Sequence, residues 1–192
     1  MCNSSNEGKD WTVKYLNRYL SNVPNPKFLD IGTGQGTYFR LLNSKYENAH
    51  WTGVEAYKPY IENYGLMEKY HTMHHADARE LYGKHVDVSQ LDYHTTFCGD
   101  VLEHMTKEQA LALVEKLTLC SGIIVISIPI VKWPQHDHVN EFQNHVKDDW
   151  SHDEVMGTFP GIIDFYKGVS IGVYVIAGNR YTGDRYTGDR QH

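Results

Sequence analysis

Cysteine is scarce in this sequence. Cys2, Cys98 and Cys120 stand far apart among 192 residues and form no Cys-x-x-Cys pair, which fits a reducing compartment better than a disulfide framework. Positive charge is also in short supply. With 18 Lys and Arg against 24 Asp and Glu, the formal charge is −6, so a surface built to neutralise phosphates is not expected and nucleic acid is not anticipated as a partner. Long apolar runs are missing as well. The longest, Ile123 to Val131, is about half a membrane span and is interrupted by Ser127 and Pro129. Met1 to Asp10 is polar and lacks the apolar stretch of a secretory signal. A cytoplasmic protein with no membrane partner is the expectation.

What remains is ordinary globular material. Hydrophobic residues make up 41% and charged residues 22%, and a chain of this length buries roughly 70% of the surface its unfolded form exposes. One domain without a stabilising metal is therefore expected. The compositional oddity is twelve histidines, most of them single in polar stretches. No linker divides the chain, and the one repeat, Tyr181-Thr-Gly-Asp-Arg185 copied as Tyr186 to Arg190, is too rich in glycine and charge to bury a face. Residues 179–192 are accordingly read as a disordered tail, 1–26 as a polar segment with a helix, and 27–178 as the folded domain.

Along the chain, Trp11, Tyr15, Leu16, Tyr19, Leu20 and Val23 recur at helical spacing until Pro24 and Pro26 end the pattern. Lys27 to Ile31 reads as a buried strand entering the glycine-rich turn Gly32 to Gly36, and a helix carrying Tyr38, Phe39, Leu41 and Leu42 follows. Trp51 to Glu55 reads as a strand, Tyr60 to Tyr70 as a helix, and Thr72 to His75 and Thr95 to Cys98 as strands. Thr106 and Gln109 have capping-box spacing before a helix with Ala110, Leu113, Val114 and Leu117 on one face. Ile123 to Ile128 is a β-branched run of the kind buried on both faces of a parallel sheet. Ser151 and Glu154 repeat the capping spacing, and Ile162 to Tyr166 and Ile171 to Ala177 pair as an antiparallel hairpin. Strands alternating with helices give a parallel sheet covered on both faces. Its ligands belong at the carboxyl ends of the strands.

Three glycines alternate after the first strand, in Asp30-Ile-Gly32-Thr33-Gly34-Gln-Gly36. They allow a sharp turn and a close approach of backbone to a ligand. The dinucleotide fingerprint requires a glycine where Thr37 stands. The pattern instead resembles that of the class I S-adenosylmethionine-dependent methyltransferases. Glu55 ends the second strand, Asp77-Ala78 follows the third, and Asp100-Val101-Leu-Glu103-His104 follows the fourth, in the order that family has them. The resemblance spans about Phe28 to Ala177. It implies an α/β fold, Rossmann-like and doubly wound, with a mostly parallel seven-stranded sheet, an antiparallel C-terminal hairpin strand and helices on both faces.

It also implies S-adenosyl-L-methionine as cofactor and S-adenosyl-L-homocysteine as product. Asp30, Gly32, Thr33, Gly34 and Gly36 would hold the amino-acid end. Glu55, with Ala56 beside it, would accept from both ribose hydroxyls. Asp77 and Ala78 would meet the adenine, and Asp100 and Val101 would lie beside the methionine moiety. Glu55 alone does not separate this reading from a nicotinamide enzyme, which wants the same residue.

Transfer from a sulfonium needs alignment and exclusion of water, with a base only where the acceptor retains its proton. The segment after the fifth strand, Trp133 to Trp150, holds the clustered proton acceptors His136, His138 and His145, read here as candidate bases, together with Glu141. Glu103, His104, Trp133 and Glu141 are the candidate contacts to a small-molecule acceptor. The His-x-His spacing with Glu141 and His145 has metal-ligand character, yet the resemblance implies no metal. The N-terminal helix, with Trp11, Tyr15 and Tyr19, is read as a candidate lid. Two rivals remain, a non-catalytic protein that binds the same cofactor and an NAD-dependent oxidoreductase.

Overall fold

The computed structural model describes residues 5–82 and 87–181. Seven strands form one sheet: β1 (Lys27–Ile31), β2 (His50–Glu55), β3 (Thr72–His75), β4 (Tyr93–Gly99), β5 (Ser121–Pro129), β6 (Ile162–Lys167) and β7 (Ile171–Ala177). Their spatial order is β3-β2-β1-β4-β5-β7-β6. The first five run parallel, while β7 lies antiparallel between β5 and β6. The winding reverses between β1 and β4, which opens a crevice at their carboxyl ends. The expected doubly wound sheet with an antiparallel hairpin strand is the fold observed.

The β-branched run in β5 is buried along its whole length. Its alternate residues feed two cores. Ile124, Ile126 and Ile128 pack with α5 (Lys107–Thr118) and α6 (His152–Thr158), while Ile123 and Val125 face α1 (Lys9–Tyr19) and α2 (Thr37–Leu42). Period-two alternation with both faces apolar is what a central parallel strand requires. In the second core Phe97 stacks on Tyr38 with centroids 4.4 Å apart and also meets Trp51 and Phe28. The Thr106 box forms as its spacing implies, with the hydroxyl accepting from Gln109 N–H and the Gln109 side chain accepting from Thr106 N–H. No helix among the described residues is long and apolar enough to cross a membrane.

Three expectations change. The single helix over Tyr60 to Tyr70 is two short ones, α3 (Lys58–Asn63) and α4 (Leu66–Lys69), because Gly65 adopts φ 58° between them and a left-handed residue ends a helix. The folded unit runs past 178. Asn179 N–H donates to Thr118 O, and Tyr181 stacks on Tyr19 at 5.8 Å; the remaining part of the expected tail, 182–192, lies outside the described residues. The aromatic face of α1 does not cover the strand ends. Trp11 packs on Tyr166 of β6, and the Tyr19 hydroxyl donates to His94 O, so only the start of α1 reaches the crevice.

Phe97→Ala should remove about 3–5 kcal/mol of stability, the usual range for a large aromatic taken from a packed core. Trp133→Ala, at a side chain 44% exposed, should change it by less than about 0.5 kcal/mol. Urea denaturation of both variants checks the contrast.

Candidate active site

Backbone geometry builds the floor of the site. After β1 the chain reverses through Gly32 (φ 64°), Gly34 (φ 51°) and Gly36 (φ 74°), conformations an L side chain adopts only with strain. A Cβ on Gly32 would strike Val101 Cγ2 at 2.6 Å. One on Gly34 would find only Gly32 O, at 3.9 Å, so the turn keeps open space above it. Gly34 N–H donates to Glu55 Oε2 at 2.8 Å, and Tyr57 N–H donates to Oε1 at 2.9 Å. The turn after β1 is thus tied to the end of β2. Asp100, just past β4, is the only non-glycine at positive φ (54°) among the described residues. Strained backbone of this kind concentrates at functional sites.

Two clefts share this floor. The larger, about 480 Å³, runs from Asp77 and Ala78 past Glu55 and Ala56 to Val101 and His104. The smaller, about 160 Å³, lies between Asp30, Thr33, Lys9 and Tyr38. Gly32, Gly34, Asp100 and Gln143 line both. Gly36 lines neither and serves as the left-handed cap of α2.

Charged side chains lie buried at the base of the smaller cleft. Asp30 is 2% exposed and accepts from the Tyr70 hydroxyl at 2.6 Å. Burial lifts its carboxyl to about 7, against the pull of Tyr70 and Lys9. The Lys9 ammonium is also buried; it sits 4.5 Å from the centre of the Tyr38 ring and donates to the Tyr38 hydroxyl. Burial opposes its charge, but Tyr38, Asp100 and Asp30 hold it above its ordinary value. Lys9 is brought there by its neighbours, since the Glu7 carboxylate accepts from the N–H groups of Val169, Ser170 and Ile171 and so moors the start of α1 to the β6–β7 turn. Sequence reasoning missed Lys9. Its only local signal is a lysine in the first helical turn, and the groups that hold it, Asp30, Tyr38 and Asp100, come from other elements 21 or more residues away.

In the larger cleft the Glu55 carboxyl is raised by burial, although three N–H groups and Thr33 oppose the shift. Asp77 accepts from the backbone N–H and guanidinium of Arg79, which hold it below the usual carboxylate range despite burial. The segment after β5 forms the roof. It is pinned by Val146 and Lys147 N–H donating to Glu103 O, and a single 3-10 turn, Glu141–Gln143, brings Glu141, Phe142 and Gln143 over the clefts. Because Asn144 is extended, Glu141 and His145 do not share a helical face.

The histidines separate. His136 and His138 are exposed and line neither cleft, as is true of Trp133. His104 lines the larger cleft, and His145 packs edge-on against it with centroids 4.8 Å apart. Burial pushes the His104 ring down to about 4 and lowers His145 as well. Glu103 is 2% exposed, behind the cleft wall, with its carboxyl raised by burial and by Asp100.

No family model matches the sequence, and no curated protein does. Solved structures match its shape. A S-adenosylmethionine-dependent methyltransferase from Clostridium acetobutylicum superposes with TM-score 0.63 at 9% identity, over 88% of this chain and 91% of that one. The plantazolicin methyltransferase BamL, in complex with a triazolic desmethylPZN analog and S-adenosylhomocysteine, gives 0.61 at 13% identity, over 91% and 86%. The N-terminal domain of EvdMO1 with S-adenosylhomocysteine bound gives 0.61 at 11% identity, over 91% and 82%. The chain has the fold of the class I S-adenosylmethionine-dependent methyltransferases.

Asp30 gives a pH test. A carboxyl raised in the folded state favours folding while protonated, so its contribution is present below about pH 4 and lost as pH rises through about 7. Asp30→Asn should therefore gain about 2–3 kcal/mol on the wild type between pH 5 and pH 8, at ~1.4 kcal/mol per unit. Urea denaturation without cofactor reads this, and parallel stability curves would contradict it.

Proposed function

We propose that the chain is a S-adenosylmethionine-dependent methyltransferase acting on a small-molecule acceptor. The observation that carries this is the glycine turn tied to Glu55, with an open floor at Gly34 and a cleft on either side. The donor chemistry of the two clefts fits the cofactor part by part. Glu55 offers two carboxylate oxygens to a vicinal diol. Ala78 and Asp77 line the end suited to adenine. Lys9 stands ready for a carboxylate, and Asp30 and Asp100 for an ammonium, which matches a zwitterionic amino-acid end.

When bound, the cofactor supplies a methyl group already activated on sulfur. The work left to the chain is geometric. Gly32, Gly34 and Asp100 border both clefts and would hold the ends in line, while Phe142 and Gln143 on the roof exclude water. The reading assigns His136 and His138 no contact with the reacting atoms. A small acceptor is supported by the acidic chain and by a neighbour crystallised in complex with a desmethylPZN analog.

Calorimetric titration with S-adenosylhomocysteine and with NAD tests the reading. Glu55→Ala should weaken S-adenosylhomocysteine by ~1.5–3 kcal/mol, the range for hydrogen bonds to a charged group. Binding of NAD alone, or an unchanged affinity in a folded Glu55→Ala protein, would overturn it. His136→Ala and His138→Ala should each leave the rate at which S-adenosylmethionine is converted to S-adenosylhomocysteine within about twofold of wild type. A base at either position would instead cost ~10²–10⁴-fold.

A further inference from the structure

Glu103 has an unmet need. It is 2% exposed, and its Oε2 has no hydrogen-bond partner among the described residues. A buried polar atom without a partner costs ~1–3 kcal/mol and calls for an explanation. Two imidazoles stand beside it. One carboxylate oxygen of Glu103 and one ring nitrogen each from His104 and His145 lie within 4.8 Å of one another.

The histidines are also oriented. His104 Nδ1 faces Asn144 O at 3.1 Å, and His145 Nδ1 faces Trp133 O. A carbonyl oxygen only accepts, so each Nδ1 donates to its carbonyl, and the Asp100 carbonyl also faces the His104 ring. Donation of the second ring N–H to a carbonyl is how metal-binding histidines are fixed in tautomer and direction. The backbone holds the three residues in register. Val146 and Lys147 N–H donate to Glu103 O, and His145 N–H donates to Gln135 O.

We propose that Glu103, His104 and His145 bind one borderline divalent cation, of the class of zinc, at the edge of the larger cleft. Two imidazoles and a carboxylate are a donor set for such ions, and three protein ligands leave a fourth position open. Metal–ligand bonds of about 2.0–2.2 Å place donors about 3.4 Å apart, so the side chains close by up to about 1.4 Å on binding. His104 lines the larger cleft, so an ion held by the three residues would border that space and could there polarise an acceptor oxygen. This set differs from the His-x-His pattern of the loop, of which only His145 takes part.

The test is equilibrium dialysis and calorimetry of the full chain with zinc chloride, without cofactor, so that its outcome is independent of methyl transfer. The wild type should bind one equivalent. Glu103→Gln and His145→Ala should each weaken that binding at least tenfold, while His136→Ala and His138→Ala leave it unchanged. Cobalt in place of zinc should give the intense visible absorption of a four-coordinate site in the wild type and lose it in His145→Ala. His145 lies on a half-buried loop, so its variant reports even where Glu103→Gln fails to fold. Zinc retained at wild-type strength in His145→Ala, or no stoichiometric binding to the wild type, would overturn the proposal.

Discussion

The hydrogen bond from Gly34 N–H to the Glu55 carboxylate is the joint on which the site depends. It fastens the reversal after β1 to the end of β2, and the two clefts open on either side of it. Within the turn Gly36 N–H donates to Thr33 O, and the other N–H groups rely on cross-strand acceptors. Gly32 and Thr33 N–H meet the same need by donating to Val54 O. The turn and β2 are therefore joined by direct hydrogen bonds.

Around the joint the molecule concentrates buried charge. Asp30, Glu55, Glu103 and Lys9 are each under 7% exposed, and all four stand at the carboxyl ends of the strands or on what covers them. Burying an ionised group costs several kcal/mol unless it is paired. The pairing here is incomplete, as the raised carboxyls of Asp30, Glu55 and Glu103 show. Elsewhere the interior carries no buried ionised side chain among the described residues and is largely apolar, from Phe97 under Tyr38 to Trp150 against Phe159. The fold carries an expense at one edge of its sheet and offsets it in two aromatic-rich cores. Unmet electrostatic demand at a strand-end crevice is what a charged ligand would satisfy.

Sequence periodicity captured the layout because it reports burial directly. The β-branched run of β5, the Thr106 box and the terminal hairpin each follow from local residue patterns, and each is present. Gly65 was misread because one glycine in a helical pattern does not announce which φ it takes. The floor of the site was legible through its glycines and acidic strand ends. Lys9 was not, since its place depends on Glu7 reaching the β6–β7 turn, more than 160 residues away in sequence. The loop histidines show the same limit. Clustering in sequence suggested that His136, His138 and His145 work together, but the turn at Glu141–Gln143 leaves two in solvent and folds the third onto His104, which arrives from a different strand end.

The most direct measurement is a crystal structure grown with S-adenosylhomocysteine. The account predicts adenine beside Ala78, ribose hydroxyls on Glu55, and the amino-acid end between Lys9 and Asp30. Ligand density elsewhere on the molecule, or a Glu55 carboxylate still directed only at backbone N–H groups and Thr33 with the ribose out of reach, would contradict it.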